Sequence, residues 1–320
     1  MMASLLEAAT ARFTEMNQRV YGSTTVSLPS TLPTLIETGW NGVSGVTGLS
    51  TTDRWTVVDA TGQSKHLWLM NPATPSGPVV IFHCGHVGDD PKDVGTKSIN
   101  MVEDLLAANR RVLAISMPGI LLSGAGTSYE VTVGGTTYTV GEDHNSLESC
   151  QDPALLRLFI DPVFIAINQA KALFPSSAIH MCGISGGGWT ATMCAAFDSR
   201  IERSYSVSGC LPDEWMRVCG GNGDLEQWPG APWRRGLHLD YHHLWALAVS
   251  TAGRRQRVLY NDQDPEYSVG ELGSYFFPNL QLTLDALPGT WNYTINTGTD
   301  RDTHSYSATI RTAILDDMAA

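Results

Sequence analysis

The stretch His180-Met181-Cys182-Gly183-Ile184-Ser185-Gly186-Gly187-Gly188-Trp189 places Gly-x-Ser-x-Gly between an apolar run and a run of small residues. Before it, Ser177-Ala178-Ile179-His180-Met181-Cys182 reads as a short strand; after it, Gly187 to Phe197 (GGWTATMCAAF) reads as a small-residue helix that can pack closely on a sheet. A serine at such a junction sits in a strained backbone conformation at the tip of a buried strand, which leaves little room for Cβ atoms two residues to either side. Gly183 and Gly187 meet that need. The bland alternative is an ordinary glycine-rich turn, and the strand-before, helix-after context argues against it.

The same alternation continues along the chain. Arg54–Ala60 and His66–Met70 flank the turn Thr61-Gly62-Gln63-Ser64 and predict an antiparallel hairpin. Pro78–His83 is a continuous apolar run, the mark of a strand buried on both faces of a parallel sheet. A helix at about Lys92–Asn109, a strand at Arg111–Ser116 and a helix at Pro153–Phe174 lead to the serine strand. Strands at Arg203–Ser208, Gln256–Tyr260 and Trp291–Asn296 follow, with a last helix near Tyr306–Met318. This order predicts an α/β fold: a mostly parallel, eight-stranded, doubly wound sheet with helices on both faces.

Residues 51–320 form that domain in this reading, with insertions at about 119–150 and 211–240. The first contains a hairpin, Tyr129–Val133 and Thr136–Val140, turned at Gly134-Gly135; the second is rich in Trp and Gly. Residues 1–50 hold an amphipathic helix, with Leu6, Ala9, Phe13, Met16 and Val20 on one stripe, and an irregular surface segment from Gly22 to Ser50. The stripe suits either padding on the domain or pairing with a second copy of the chain, a homo-oligomer contact.

Composition bounds the partners. With 320 residues, 42% of them apolar, there is ample material for a core. A formal charge of −12 disfavours nucleic acid. No apolar run suggests a membrane span and no secretory signal is visible, so a cytoplasmic location is the expectation. The six cysteines have no Cys-x-x-Cys spacing and read mostly as buried thiols, with Cys210 and Cys219 the pair that could bridge in an oxidising compartment.

The serine motif in this context resembles the nucleophile elbow of the α/β-hydrolase superfamily, in which the chain order is serine, acid, histidine. A serine alcohol is a poor nucleophile at neutral pH, so acyl transfer needs a base within hydrogen-bond reach and a carboxylate to orient that base. Directly after the strand at Val258–Tyr260 comes Asn261-Asp262-Gln263-Asp264-Pro265, similar to the acid loop of these enzymes, commonly Gly-x-x-Asp. In that register Asn261 stands in the glycine place and Asp264 is the acid, with Asp262 as competitor; either aspartate also suits a turn that caps its own backbone. After the last strand, Thr297–Ser305 carries His304, the one histidine beyond the acid loop, as the base.

The oxyanion of the reaction needs N–H donors. Resemblance implies the backbone N–H of Gly186 and one from the loop His83-Cys84-Gly85-His86-Val87-Gly88, similar to the His-Gly loop of the superfamily but with Cys84 in the usual histidine place. His86 is preferred over Val87. A metal on His83, His86, Asp89 and Asp90 is the rival reading of this loop; no His-Glu-x-x-His helix supports it, and neither a metal nor a cofactor is expected.

Over Arg54 to the C-terminus the chain resembles α/β-hydrolase serine esterases, nearest the poorly characterised bacterial branch beside acetyl esterases and prolyl-oligopeptidase-type hydrolases. The Gly-Gly-Gly-Trp continuation, Gly223-Asp224-Leu225-Glu226-Gln227 and Asn-x-x-Asp-Pro carry that likeness. It implies a serine carboxylesterase acting on a small-molecule or carbohydrate ester, with a short, acetyl-type acyl group. Trp215, Trp228, Trp233 and Tyr138 in the insertions are candidate substrate contacts, the alternative being that they form the cap's own core. A peptidase or amidase on the same triad and a non-catalytic binding protein remain the competing readings.

Overall fold

The computed structural model describes residues 2–40, 45–59, 61–62, 64–86, 95–119, 128–141, 144–219, 224–228, 230–267 and 269–320. At its centre the apolar run Val79–His83 forms a strand, β4, buried along its whole length. Val79 and Ile81 enter one hydrophobic layer while Val80 and Phe82 enter the other, as the two-residue period of a strand requires. A strand with an apolar side chain toward each layer can only sit in the middle of a covered sheet.

Around it the strands are β1 (Thr34–Glu37), β2 (Thr51–Val58), β3 (Ser64–Asn71), β5 (Arg111–Ile115), β8 (Ile179–Ile184), β9 (Ile201–Val207), β10 (Arg255–Asn261) and β11 (Thr290–Asn296). The sheet order is β1-β2-β3-β5-β4-β8-β9-β10-β11. From β5 to β11 every neighbouring pair is parallel; β1, β2 and β3 pair antiparallel, as does β3 with β5. Strands β6 (Ser128–Val133) and β7 (Thr136–Gly141) form a separate hairpin between β5 and the next helix.

The eight expected strands are therefore joined by a ninth, β1, within the segment read as irregular. Its four residues are all exposed, so it buries neither face and leaves no period in the sequence; it is recognisable only by its hydrogen bonds to β2.

On one face lie α3 (Leu156–Leu173), α4 (Gly186–Phe197) and α6 (Tyr241–Ala248); on the other lie α2 (Gly95–Ala107) and α8 (Ala308–Ala319). Two further helices, α5 (Asp213–Cys219) and α7 (Gly270–Leu284), follow β9 and β10. The N-terminal helix α1 (Met2–Tyr21) lies on α6 and on the turn Pro153–Leu155, with Ala9, Phe13, Met16 and Val20 buried and Phe13 edge-on to Phe197 at 4.5 Å. That settles the use of its stripe. It is covered by the chain's own body, where each large apolar side chain contributes about 1.5–3 kcal/mol, and the stripe is not available to a second copy.

The segment Pro153–Leu173 is long and apolar enough by composition to cross a membrane, but 78% of its most apolar window is buried inside the protein. Its apolarity is that of a core helix. Buried beside it is Lys65 of β3, whose Nζ donates to the Leu158 carbonyl at 2.6 Å and lies 3.5 Å from Asp59 Oδ2. Both side chains are at most 2% exposed, and burial pushes the Lys65 ammonium below its usual range. Removing one partner of such a pair strands a buried charge. We predict that Lys65→Met destabilises the fold by about 3–5 kcal/mol in chemical denaturation, and that adding Asp59→Leu restores a large part of it. A single substitution with no effect on the midpoint would show that water reaches the pair.

Candidate active site

Ser185 joins β8 to α4 with φ 56° and ψ −129°, a left-handed conformation that costs a non-glycine residue about 1–3 kcal/mol. Hydrogen bonds on both sides hold it there. Its N–H donates to the Val207 carbonyl at 2.9 Å, and its own carbonyl accepts the Trp189 N–H at 3.0 Å as the first helical bond of α4. A Cβ on Gly183 would come within 2.2 Å of the Gly187 carbonyl oxygen, and one on Gly187 within 2.2 Å of the His83 carbonyl oxygen. Glycine at both places is thus a packing requirement.

Asp264 lies in the loop after β10 and His304 in the loop after β11. The two meet: His304 Nδ1 is 2.9 Å from Asp264 Oδ2 and 3.0 Å from Oδ1, with both side chains buried. Oδ1 also accepts the N–H groups of Glu266 and Tyr267 at 2.8 and 3.1 Å. Burial alone would raise the Asp264 carboxyl, but the His304 and Ser208 side chains and the Glu266 N–H hold it below the usual carboxylate range. Because Nδ1 faces a carboxylate, it carries the proton, and Nε2 is left with the lone pair a general base uses. Nε2 is buried without a hydrogen-bond partner, 3.2 Å from Glu266 Oε2 in an off-axis approach.

Asp262 is turned elsewhere. Its Oδ2 lies 3.6 Å from the Arg301 guanidinium, and its N–H donates to the Asn296 carbonyl. Of the two candidate acids, the structure brings Asp264 to His304.

Three contributors were missed in the sequence. Tyr267, 1% exposed, stacks on the His304 ring at 5.9 Å. Glu266 faces Nε2 as described. Asn261, read only as a departure from glycine, donates to the carbonyls of Thr303 and Ser305 at 2.7 and 2.9 Å and so clamps the backbone on either side of His304. Asn296 backs it, donating to Asn261 Oδ1, Asp300 Oδ1 and Ser307 Oγ. An asparagine at the end of each of two adjacent parallel strands was the available signal.

The loop after β4 lies against the elbow. At Gly85, φ 67°, an added Cβ would stand 2.6 Å from the Ile184 carbonyl oxygen and 3.7 Å from Gly186 N. The His86 ring covers Gly186 so closely that a Cβ there would meet its Cε1 at 2.7 Å. His83 takes no part in the grouping once considered for a metal: it is buried, its Nδ1 accepts the Gly85 N–H, and burial pushes its imidazole down to about 3. Val87, Asp89 and Asp90 lie outside the described residues. His86 instead gathers with His144, which follows β7, and with Asp224 and Glu226, which follow α5.

The aromatic candidates divide. Trp233 is fully buried, packed between Phe159 at 6.0 Å and Trp189 at 6.1 Å, so it is core and has no surface for a substrate. Trp215 is half-buried on Phe276, and Trp228 and Tyr138 are half-buried against the same core. Cys210 is a free buried thiol beside Thr192, and burial raises it to about 11; the side chain of Cys219, the partner considered for it, lies outside the described residues.

Comparison with protein-family models and with curated proteins finds no match. Among solved structures, a methylesterase superposes with a TM-score of 0.62 at 17% identity, over 99% of this chain but 64% of its own length. Acetyl xylan esterase 1 from Thermoanaerobacterium sp. gives 0.58 at 16%, covering 99% of this chain and 98% of that one. A glucuronoyl esterase from Teredinibacter turnerae gives 0.58 at 14%, covering 97% and 83%. Likeness at these identities establishes the fold alone, a mostly parallel α/β sheet of the α/β-hydrolase type.

Proposed function

We propose that the protein is a serine carboxylesterase that removes a short, acetyl-type acyl group from a carbohydrate or similar small alcohol. The observation that carries this reading is the buried His304–Asp264 pair, set on loops after β10 and β11 of the sheet whose β8 ends in the strained Ser185. Ligands of open α/β sheets bind at the carboxyl ends of the strands, and all three residues come from there.

In the reaction, Ser185 Oγ attacks the ester carbonyl carbon while its proton passes to His304 Nε2. Asp264 stabilises the imidazolium through Nδ1–H. The oxygen that gains the negative charge accepts the N–H groups of Gly186 and His86. Collapse expels the alcohol, which takes the proton from Nε2, and water then repeats the sequence to release the acid and free Ser185. The substrate class rests on the neighbours, whose names specify an acetyl xylan, a glucuronoyl and a methyl ester.

The test is a p-nitrophenyl ester series from acetate to dodecanoate, with acetylated xylo-oligosaccharide and p-nitroacetanilide beside it. Acetate is expected to turn over fastest, octanoate at least about tenfold more slowly, a pocket-size effect of 1–3 kcal/mol. Hydrolysis of the anilide at the ester's rate would favour the amidase reading. No ester turnover above a Ser185→Ala background would favour the binding-protein reading.

A further inference from the structure

Beside the serine, four side chains from three distant segments converge. His86 comes from the loop after β4, His144 follows the β6–β7 hairpin, and Asp224 and Glu226 flank the start of a 3-10 turn, Leu225–Gln227, in the second insertion. His86 Nε2 is 3.0 Å from Asp224 Oδ2 and 3.2 Å from His144 Nδ1, and His144 Nδ1 is 3.1 Å from Glu226 Oε2. One donor atom from each residue lies within 4.8 Å of all the others.

Among the described residues, the hydrogen bonds of this knot leave one buried carboxylate oxygen unmet. His144 Nε2 is 2.7 Å from the Pro118 carbonyl, which can only accept, so Nε2 carries a proton. In the neutral ring Nδ1 then has a lone pair aimed at a carboxylate oxygen and at a second imidazole nitrogen. Glu226 is fully buried, and its Oε1 has no hydrogen-bond partner although it points to within 3.6 Å of His86 Nε2. The ion pairs of Asp224 and Glu226 among the described residues are with these two histidines. Two carboxylates, one of them sealed from water, face two imidazoles that are uncharged unless doubly protonated, and burying a carboxylate so poorly compensated is costly.

We propose that His86 Nε2, His144 Nδ1, Asp224 and Glu226 bind a divalent first-row metal ion of the zinc type. Two imidazoles and two carboxylates are a zinc-class donor set. Tetrahedral bonds of about 2.0–2.1 Å place ligand atoms roughly 3.3 Å apart, close to the contacts already present. The Pro118 carbonyl is the outer partner that fixes the tautomer of a metal-bound histidine. With four protein ligands the site is closed and structural. It ties both insertions to the loop whose His86 ring lies against Gly186.

The test is direct binding, read without turnover. Untagged protein is stripped with dipicolinate and titrated with ZnCl2 alone by calorimetry, with the metal content of the purified protein measured in parallel. One Zn2+ per chain and a rise in the thermal midpoint are expected, with Asp224→Asn weakening the affinity at least about tenfold. Asp224 is 33% exposed, so its variant keeps the test independent of the damage Glu226→Gln could do to the core. Ser185→Ala is expected to bind within twofold of the parent, which separates this site from the esterase reading. Absence of stoichiometric Zn2+ binding by the parent, or an affinity that Asp224→Asn leaves within twofold, overturns the proposal.

Discussion

Ser185→Ala is expected to lower kcat/KM for p-nitrophenyl acetate by roughly ten-thousand- to a million-fold, the range seen when a triad nucleophile is removed. At about 1.4 kcal/mol for each factor of ten, that is some 5–8 kcal/mol of transition-state stabilisation. The substitution removes one oxygen and changes nothing that holds the elbow. Ser185 is fixed by its backbone N–H to Val207 and its carbonyl to Trp189, and alanine keeps both. The thermal midpoint should therefore move by no more than a degree or two on the scale of a surface substitution. His304→Ala is expected to cost a similar factor, and the double variant little more than either single, because in the proposed mechanism nucleophile and base act as a unit. A Ser185→Ala protein that retains a tenth of the parental rate would place the chemistry elsewhere.

The parts of this fold that were legible in the sequence are those where packing leaves one solution. Gly183 and Gly187 could be read because a Cβ at either place would collide with backbone, a constraint that shows as composition. β4 could be read because a strand apolar on both faces has one place in an α/β sheet. That Asp264 and His304 lie in neighbouring loops could be read by order, since each follows one of two strands that are adjacent in the sheet. What stayed hidden has the opposite character. β1 buries nothing and so carries no pattern.

His86, His144, Asp224 and Glu226 come from three separate stretches of chain; His86 and His144 are 58 residues apart, and His144 and Glu226 are 82 apart, with no ligand spacing to read. The tryptophans of the second insertion were ambiguous because a Trp that fills a core and a Trp that stacks on a sugar are the same letter. Trp233 does the first. Asn261 stands where the resemblance leads one to expect a glycine, and its amide donates to the backbone on both sides of His304.

The sharpest separation should come from the two aspartates of one loop. Asp264→Asn is expected to cost about a thousand- to ten-thousand-fold in kcat, while Asp262→Asn stays within about twofold, the effect of a partly exposed ion pair worth at most about 1 kcal/mol. The reason is the tautomer. Oδ1 of Asp264 already accepts the N–H groups of Glu266 and Tyr267, so an asparagine amide settles with its oxygen there and its NH2 in the Oδ2 position, facing His304 Nδ1. Two donors cannot meet, so Nδ1 becomes the acceptor and the ring proton moves to Nε2, where the serine proton has to arrive in the proposed reaction. The stability of the parent carries a matching signature. The folded carboxyl of Asp264 is held below its unfolded value, so its contribution is complete above about pH 4 and is lost as pH falls through the lowered folded value. Asp264→Asn should lack that acid-side component of the denaturation profile, and Asp262→Asn should keep it. Equal losses of activity in the two variants would show that the acid is shared or supplied from elsewhere, and Glu266, 3.2 Å from Nε2, would be the carboxylate to replace next.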